Sequence, residues 1–100
     1  MSEPRSPRVP SQNPVSVQVL QYLERHLGRS VRAVVERDYG FEGRLAAVSQ
    51  DPPGIWLSDA DAIVLRGSIV NPIPTVVSRE NMSEIFINLT SLLRLEIISK

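Results

Sequence analysis

LGRSVRAVVERDYGFEGRLAAVSQDPPGIWLSDA, residues 27–60, is the stretch whose reading decides the fold. It breaks into three strands punctuated by glycine. The first is Ser30 to Arg37, closed by Asp38-Tyr39-Gly40. The second is Phe41 to Ser49, with Gly43 inside it. The third starts at Ile55 after Asp51-Pro52-Pro53-Gly54 and runs to about Leu65. A glycine inside a strand marks a sharp bend, because only a residue without a Cβ lets the backbone curl that tightly. Val31, Ala33 and Val35 alternate with Arg32 and Glu36, which predicts one buried and one partly wet face. In the second strand Phe41, Gly43, Leu45 and Ala47 are expected on one face, with Glu42, Arg44, Ala46 and Val48 on the other. Asp38-Tyr39-Gly40 reads as a tight hairpin with Gly40 at positive φ and Tyr39 exposed at its tip.

Upstream, Asn13-Pro14 opens a helix. Asn is a favoured N-cap and Pro suits the first helical position. Val19, Leu20, Leu23 and Leu27 follow at helical spacing, and Gly28 is a natural left-handed stop. A helix of about fourteen residues is marginal alone in water, so its apolar stripe must lie on the sheet. His26 falls near its C-terminal end, where a structural role is expected. Residues 1–13, rich in Pro, Ser and Arg, cannot bury enough apolar surface to offset ordering and read as a disordered tail. Residues 14–100 then form one domain.

Downstream, Arg66-Gly67-Ser68 leads into Ile69-Val70-Asn71-Pro72-Ile73-Pro74. Two prolines there cannot donate to a ladder, so the segment reads as an extended loop. A fourth strand lies within Val76–Leu89, and a short Thr90-Ser91 turn leads to a fifth, Leu92 to Ile98. Ile85, Phe86 and Ile87 place apolar side chains on both faces, and Leu93, Leu95 and Ile97 extend the pattern. Strands apolar on both sides belong inside a sheet, yet the terminal strands of an open barrel are edges. Edge pairing between copies resolves the conflict, and if the rotation closes it makes a ring. These six residues are therefore the expected subunit interface. A standard interface of ~1,600 Å², about 57% apolar, yields a gross ~20 kcal/mol against association costs of ~4–15 kcal/mol. The competing reading is a monomer whose helix and loop cover the edges.

Composition excludes several functions. The chain has 100 residues, no cysteine and a single histidine, His26. Disulfides, thiolate or histidine-based metal sites and a Ser-His-Asp triad are thereby ruled out or made unworkable. No catalytic residues, cofactor or metal are expected. Eleven Lys and Arg balance eleven Asp and Glu, so nucleic-acid binding must come from a local patch rather than a global field. Ten of the eleven cations are arginine, suited to planar, bidentate contacts. Absence of a long apolar run and of a secretory layout points to no membrane partner and a cytoplasmic location. Asp59 and Asp61 sit at alternating positions without a third carboxylate or a His, so Asp59 is expected to end a strand by accepting backbone hydrogen bonds. Trp56 is expected in the core or at a subunit interface.

The order helix, Leu27-Gly28-Arg29, strand, Asp38-x-Gly40, Gly43-x-Leu45, Leu57-x-Asp59-Ala60 and a final apolar hairpin resembles the Sm and Sm-like (LSm) family, most closely its archaeal members. The resemblance covers residues 15 to 98. It implies a mainly β fold with an N-terminal α-helix on a strongly bent five-stranded antiparallel open barrel. It also implies a closed homo-oligomeric ring of six to eight subunits, seven favoured, made by pairing the fourth and fifth strands. Function by resemblance is a non-catalytic platform for single-stranded RNA or ribonucleoprotein assembly. The family's uridine site maps to Ser49, Asp51, Gly54, Asn88 and Leu89, but here it is atypical. Ser49 stands where an Asp is expected, Gly54 where an Asn is expected, and Asn88-Leu89 replaces Arg-Gly. The loop at Asp51-Pro52-Pro53-Gly54 reads as one residue longer. Arg29, Arg32 and Arg44 remain as phosphate contacts, and an oligomeric protein scaffold without RNA binding is the rival reading.

Overall fold

The computed structural model describes residues 17–70 and 72–98. The expected tail and the Asn13-Pro14 helix start lie outside the described residues. Element order is helix α1 (Val17–Glu24), strands β1 (Ser30–Glu36), β2 (Tyr39–Gln50), β3 (Pro53–Arg66) and β4 (Thr75–Asn88), a short 3-10 turn Leu89–Ser91, and β5 (Arg94–Ile97). All pairings are antiparallel, and the strands lie in the order β4-β3-β2-β1-β5. Among the described residues the sheet is therefore open, with β4 and β5 each paired on one side only.

The main core lies on one side of the sheet. Val31, Ala33, Leu45, Ile55, Leu57 and Ile87 pack there with Leu23 of α1, and Leu95 and Ile97 of β5 lean against it. Only Leu20 and Leu23 of the expected helical stripe are buried; Val19 and Leu27 are exposed. The helix ends at Glu24, three residues before Leu27, and successive turns then carry the chain to β1. Gly28 adopts φ +89° as expected, and its N–H donates to the Leu45 carbonyl at 2.8 Å. Leu45 N–H returns a bond to the Arg29 carbonyl at 2.8 Å, which fastens the helix exit to mid-β2. A second cluster, Val34, Ile63 and Leu65 with Val76, occupies the opposite side by strand alternation.

The bend is built from bulges. Pairing of β2 with β3 shifts register between Glu42 and Arg44 and again between Leu45 and Ala47. The first shift falls at Gly43, where the sequence marked a bend; a Cβ there would come within 2.9 Å of the Ser58 carbonyl oxygen, so the two backbones also approach closely. The second shift corrects the expected alternation. Ala46 is the extra residue, so Val48 rejoins Leu45 on the core side and Ala47 turns away, opposite Trp56.

Gly40 requires a second correction. It is not at positive φ, and it pairs with Val34 inside β2; Arg37 and Asp38 make the turn. Glycine is needed because a Cβ there would meet the Ala33 carbonyl oxygen at 2.4 Å. Tyr39 accordingly sits in the strand, half-buried, with its ring edge-on to Phe41 at 5.3 Å. Asp59 does not end β3 either. It sits at the bulge with φ 49°, its side chain in solvent and 3.8 Å from Arg44.

A row of ion pairs crosses all five strands. Arg32 Nη2 lies 2.6 Å from Glu42 Oε2, Arg79 Nη1 lies 2.8 Å from Glu42 Oε1, and Asp61 and Glu96 flank them at 3.4 and 3.5 Å. Two guanidiniums on one carboxylate explain how Glu42 tolerates being only 8% exposed. The hydrogen bond that Arg79 donates to the Glu42 carboxylate holds it above its ordinary pKa despite desolvation, so it stays cationic.

Candidate nucleic-acid interface

β2, β3 and β4 converge at one end of the sheet. There Ser49 pairs with Gly54, and Gly54 pairs with Asn88, so the three residues form a line across adjacent strands. Asp51 caps this rim in the β2–β3 turn, next to the cis Asp51–Pro52 peptide, and Leu89 begins the 3-10 turn beside it. The structure thus gathers the five sequence-predicted site residues at one place. The turn is two residues, Asp51 and Pro52, with Pro53 and Gly54 already in β3. That is shorter than the four-residue loop expected.

The Ser49 hydroxyl and the Asn88 side-chain carbonyl oxygen in this line are engaged within the chain. Ser49 Oγ donates to the Pro52 carbonyl at 2.7 Å. Asn88 Oδ1 accepts from Thr90 N–H at 2.9 Å and from Thr90 Oγ1 at 2.7 Å, capping the turn that follows. Gly54 is covered by the Phe86 ring: a Cβ at residue 54 would lie 2.2 Å from Phe86 Cζ. The space that a side chain at 54 would use is therefore filled by an aromatic ring. Leu89 packs against the core, and Asp51 stays exposed.

Sequence reasoning placed Trp56 in the core or at an interface; in the chain it is 44% exposed on the side facing away from the main core. Its ring meets Phe86 at 5.2 Å with a 53° interplanar angle. Ile55 and Leu57 on either side take the core face, so alternation turns Trp56 outward and leaves the interface half of that expectation standing. Among the expected interface residues, Ile87 is 5% exposed and commits its side chain to the core, leaving only backbone on the edge. Ile85, Leu95 and Ile97 are half-buried against the same core, whereas Leu93 is 67% exposed. Of the arginines expected to meet phosphate, Arg32 is held by Glu42 and Glu96, while Arg29 and Arg44 are exposed. His26 follows the helix in the next turn, its ring 4.8 Å from that of Tyr22. No helix among the described residues is long and apolar enough to cross a membrane.

No family model and no curated protein matches this sequence. Solved structures do. An Sm protein of Pyrococcus abyssii, solved in complex with a uridine heptamer, shares 23% identity over 78% of this chain and 94% of its own, with a TM-score of 0.55. A novel Sm-like archaeal protein from Pyrobaculum aerophilum shares 20% identity over 81% of this chain but 52% of its own, at a TM-score of 0.57. A P. aerophilum Sm heptamer shares 14% identity over 86% of this chain and all of its own, at a TM-score of 0.60. The fold class is thereby defined: a helix followed by an open, strongly bent five-stranded antiparallel sheet of Sm-like type. At these identities the likeness concerns the fold.

Proposed function

We propose that this chain is a non-catalytic, ring-forming platform for single-stranded RNA, with residues 14–100 as its domain and 1–13 as a tail. The observation that carries the reading is the pair of open edges. β4 and β5 end the sheet on opposite sides, and each offers unpaired backbone groups to another copy. Beside β5 runs an apolar groove of about 420 Å³ between Val19, Tyr22 and Leu23 of the helix and Leu93, Leu95 and Ile97. A β4 arriving at that edge would continue the ladder and cover the groove. Seven subunits is the favoured number within six to eight, in line with the heptameric neighbours. A uridine heptamer bound to one neighbour supports single-stranded RNA as ligand. The archaeal origin of these neighbours and the cysteine-free sequence agree with an archaeal, cytoplasmic protein.

The rim at Ser49, Asp51, Gly54, Asn88 and Leu89 is the place for RNA in this reading, in an atypical form without the stacking guanidinium. A second reading, a protein scaffold without RNA binding, is favoured by the internal engagement of Ser49 and Asn88. Light scattering at micromolar concentration is expected to give a multiple of 11.1 kDa. A mass of one chain defeats the ring. Leu95→Pro is the matching variant. Ile98 N–H bonds Ser30, so antiparallel alternation turns the N–H of Leu95 toward the free edge, and its loss should lower the mass. Titration of the ring with labelled oligo-uridine at two salt concentrations separates the readings: salt-sensitive binding supports the platform, and no binding supports the scaffold.

A further inference from the structure

Strand alternation leaves one part of this surface uncommitted. Ile55, Leu57, Ile85 and Ile87 face the main core, so Gly54, Trp56 and Phe86 face the other way. The flanking positions in register are small or polar: Ala47 opposite Trp56, Ser49 opposite Gly54, and Ser58 next along β3. An indole flanked by such residues keeps part of its face open, and the Phe86 ring, seated over Gly54, extends the aromatic surface. Arg44 pairs with Ser58 and so starts one position from the indole on the same side. Its ion pair to Asp59 is 3.8 Å long between two mostly exposed side chains, a weak, solvent-screened contact that a phosphate can replace.

Assembly through the open edges does not seal this surface. In β5, Leu95 and Ile97 pair with Ala33 and Val31 on the core side. Arg94 and Glu96 therefore take the other side, joined to each other at 2.6 Å. A β5 added beside β4 brings that charged pair, not an apolar cover, to the Phe86 side. A protein-binding patch needs a broader apolar centre than two rings bordered by Ser49, Ser58, Arg44 and the exposed Glu84. Single-stranded nucleic acid needs little more than an aromatic face with a nearby cation.

We propose that Trp56 and Phe86 form a stacking platform for an unpaired base of single-stranded RNA, with Arg44 on an adjoining phosphate, on a surface separate from the Ser49–Asn88 rim. Glu84, two residues before Phe86, repels phosphate from its own side and directs the backbone past Arg44. This rests on the RNA-platform reading and adds a second contact surface to it.

Trp56 is the only tryptophan in the chain, so its emission reports on this site alone. A short labelled oligoribonucleotide is titrated into the intact ring while anisotropy and indole emission are followed together. Expected are saturable quenching that tracks anisotropy and a loss of about 5- to 150-fold in affinity for Trp56→Ala, the effect of removing one stacked base. Trp56→Phe should recover most of that loss, and Arg44→Ala should reduce the salt slope by about one. Light scattering checks that each variant keeps its ring, and native-chain quenching decides the matter if Trp56→Ala does not. RNA bound with unchanged emission, and with Trp56→Ala as tight as native, overturns this proposal, leaves the platform reading intact and assigns the aromatic pair to a protein partner. An intact ring that shows no anisotropy change overturns both.

Discussion

Leu57 and Trp56 are adjacent in β3, yet one is fully buried and the other 44% exposed. A weaker form of the contrast separates buried Ile87 from half-buried Phe86 in β4. On one side of this ribbon every large side chain serves the core. On the other, two aromatic rings rest on a glycine and a run of small residues. Alternation alone puts the core and the proposed binding surface back to back on consecutive residues. The rim beside them, where the family resemblance puts uridine, has its Ser49 and Asn88 oxygens engaged in bonds within the chain. The better-placed groups for a new ligand are those that the fold does not need.

Substitutions on the two sides should separate cleanly. Leu57→Ala removes a fully buried side chain and should cost about 2–5 kcal/mol by urea unfolding. Trp56→Ala should cost much less stability while altering the ligand surface; equal losses would break the comparison. Gly54→Ala lies on the boundary. Its Cβ would sit 2.6 Å from Phe86 Cε1 and 2.7 Å from the Ile87 carbonyl oxygen, so a loss of about 1–3 kcal/mol is expected with a shift in Trp56 emission. Emission unchanged from native would mean that Phe86 does not rest on residue 54. Glu42→Gln should cost about 1–3 kcal/mol, because Arg32 and Arg79 lose their shared carboxylate; a neutral result would show that Asp61 and Glu96 suffice. Asp59→Asn, which removes the charge of an exposed pair 3.8 Å long and keeps a residue suited to φ 49°, should stay within about 0.5 kcal/mol. Asn88→Arg with Leu89→Gly, the change that would restore the family's Arg-Gly pair, removes the cap on Thr90 and a core contact. Stronger uridine binding by that variant would have to appear against reduced stability, and no gain would count against the rim.

Legibility followed the physics of each signal. Strands β1 and β3 were readable because alternation and flanking Gly and Pro are local. The bend at Gly43 was readable because a missing Cβ in a strand has few other uses. Reading Gly40 as a positive-φ turn failed for a related reason. A glycine serves either an unusual φ or a close backbone approach, and only the partner strand, here the Ala33 carbonyl, distinguishes them. The face of Ala47 was misassigned because a bulge shifts the phase of everything beyond it, and Ala46 carries no mark of being the extra residue. The residues that the resemblance singled out lie along one rim, but their engagement was invisible in the sequence: Asn88 is committed by Thr90, and Gly54 by a ring thirty-two residues away.

By itself the sequence determined the helix followed by five strands, the left-handed exit at Gly28, the absence of cysteine chemistry, and the apolar character of the last two strands. Those are properties of spacing and composition, which act over a few residues. Tertiary structure alone decided that Glu42 lies buried between two arginines, that Ala47 turns away from the core, and that Trp56 stands beside Phe86. Each depends on register between strands distant in sequence, and one shifted pair turns a side chain to the opposite face.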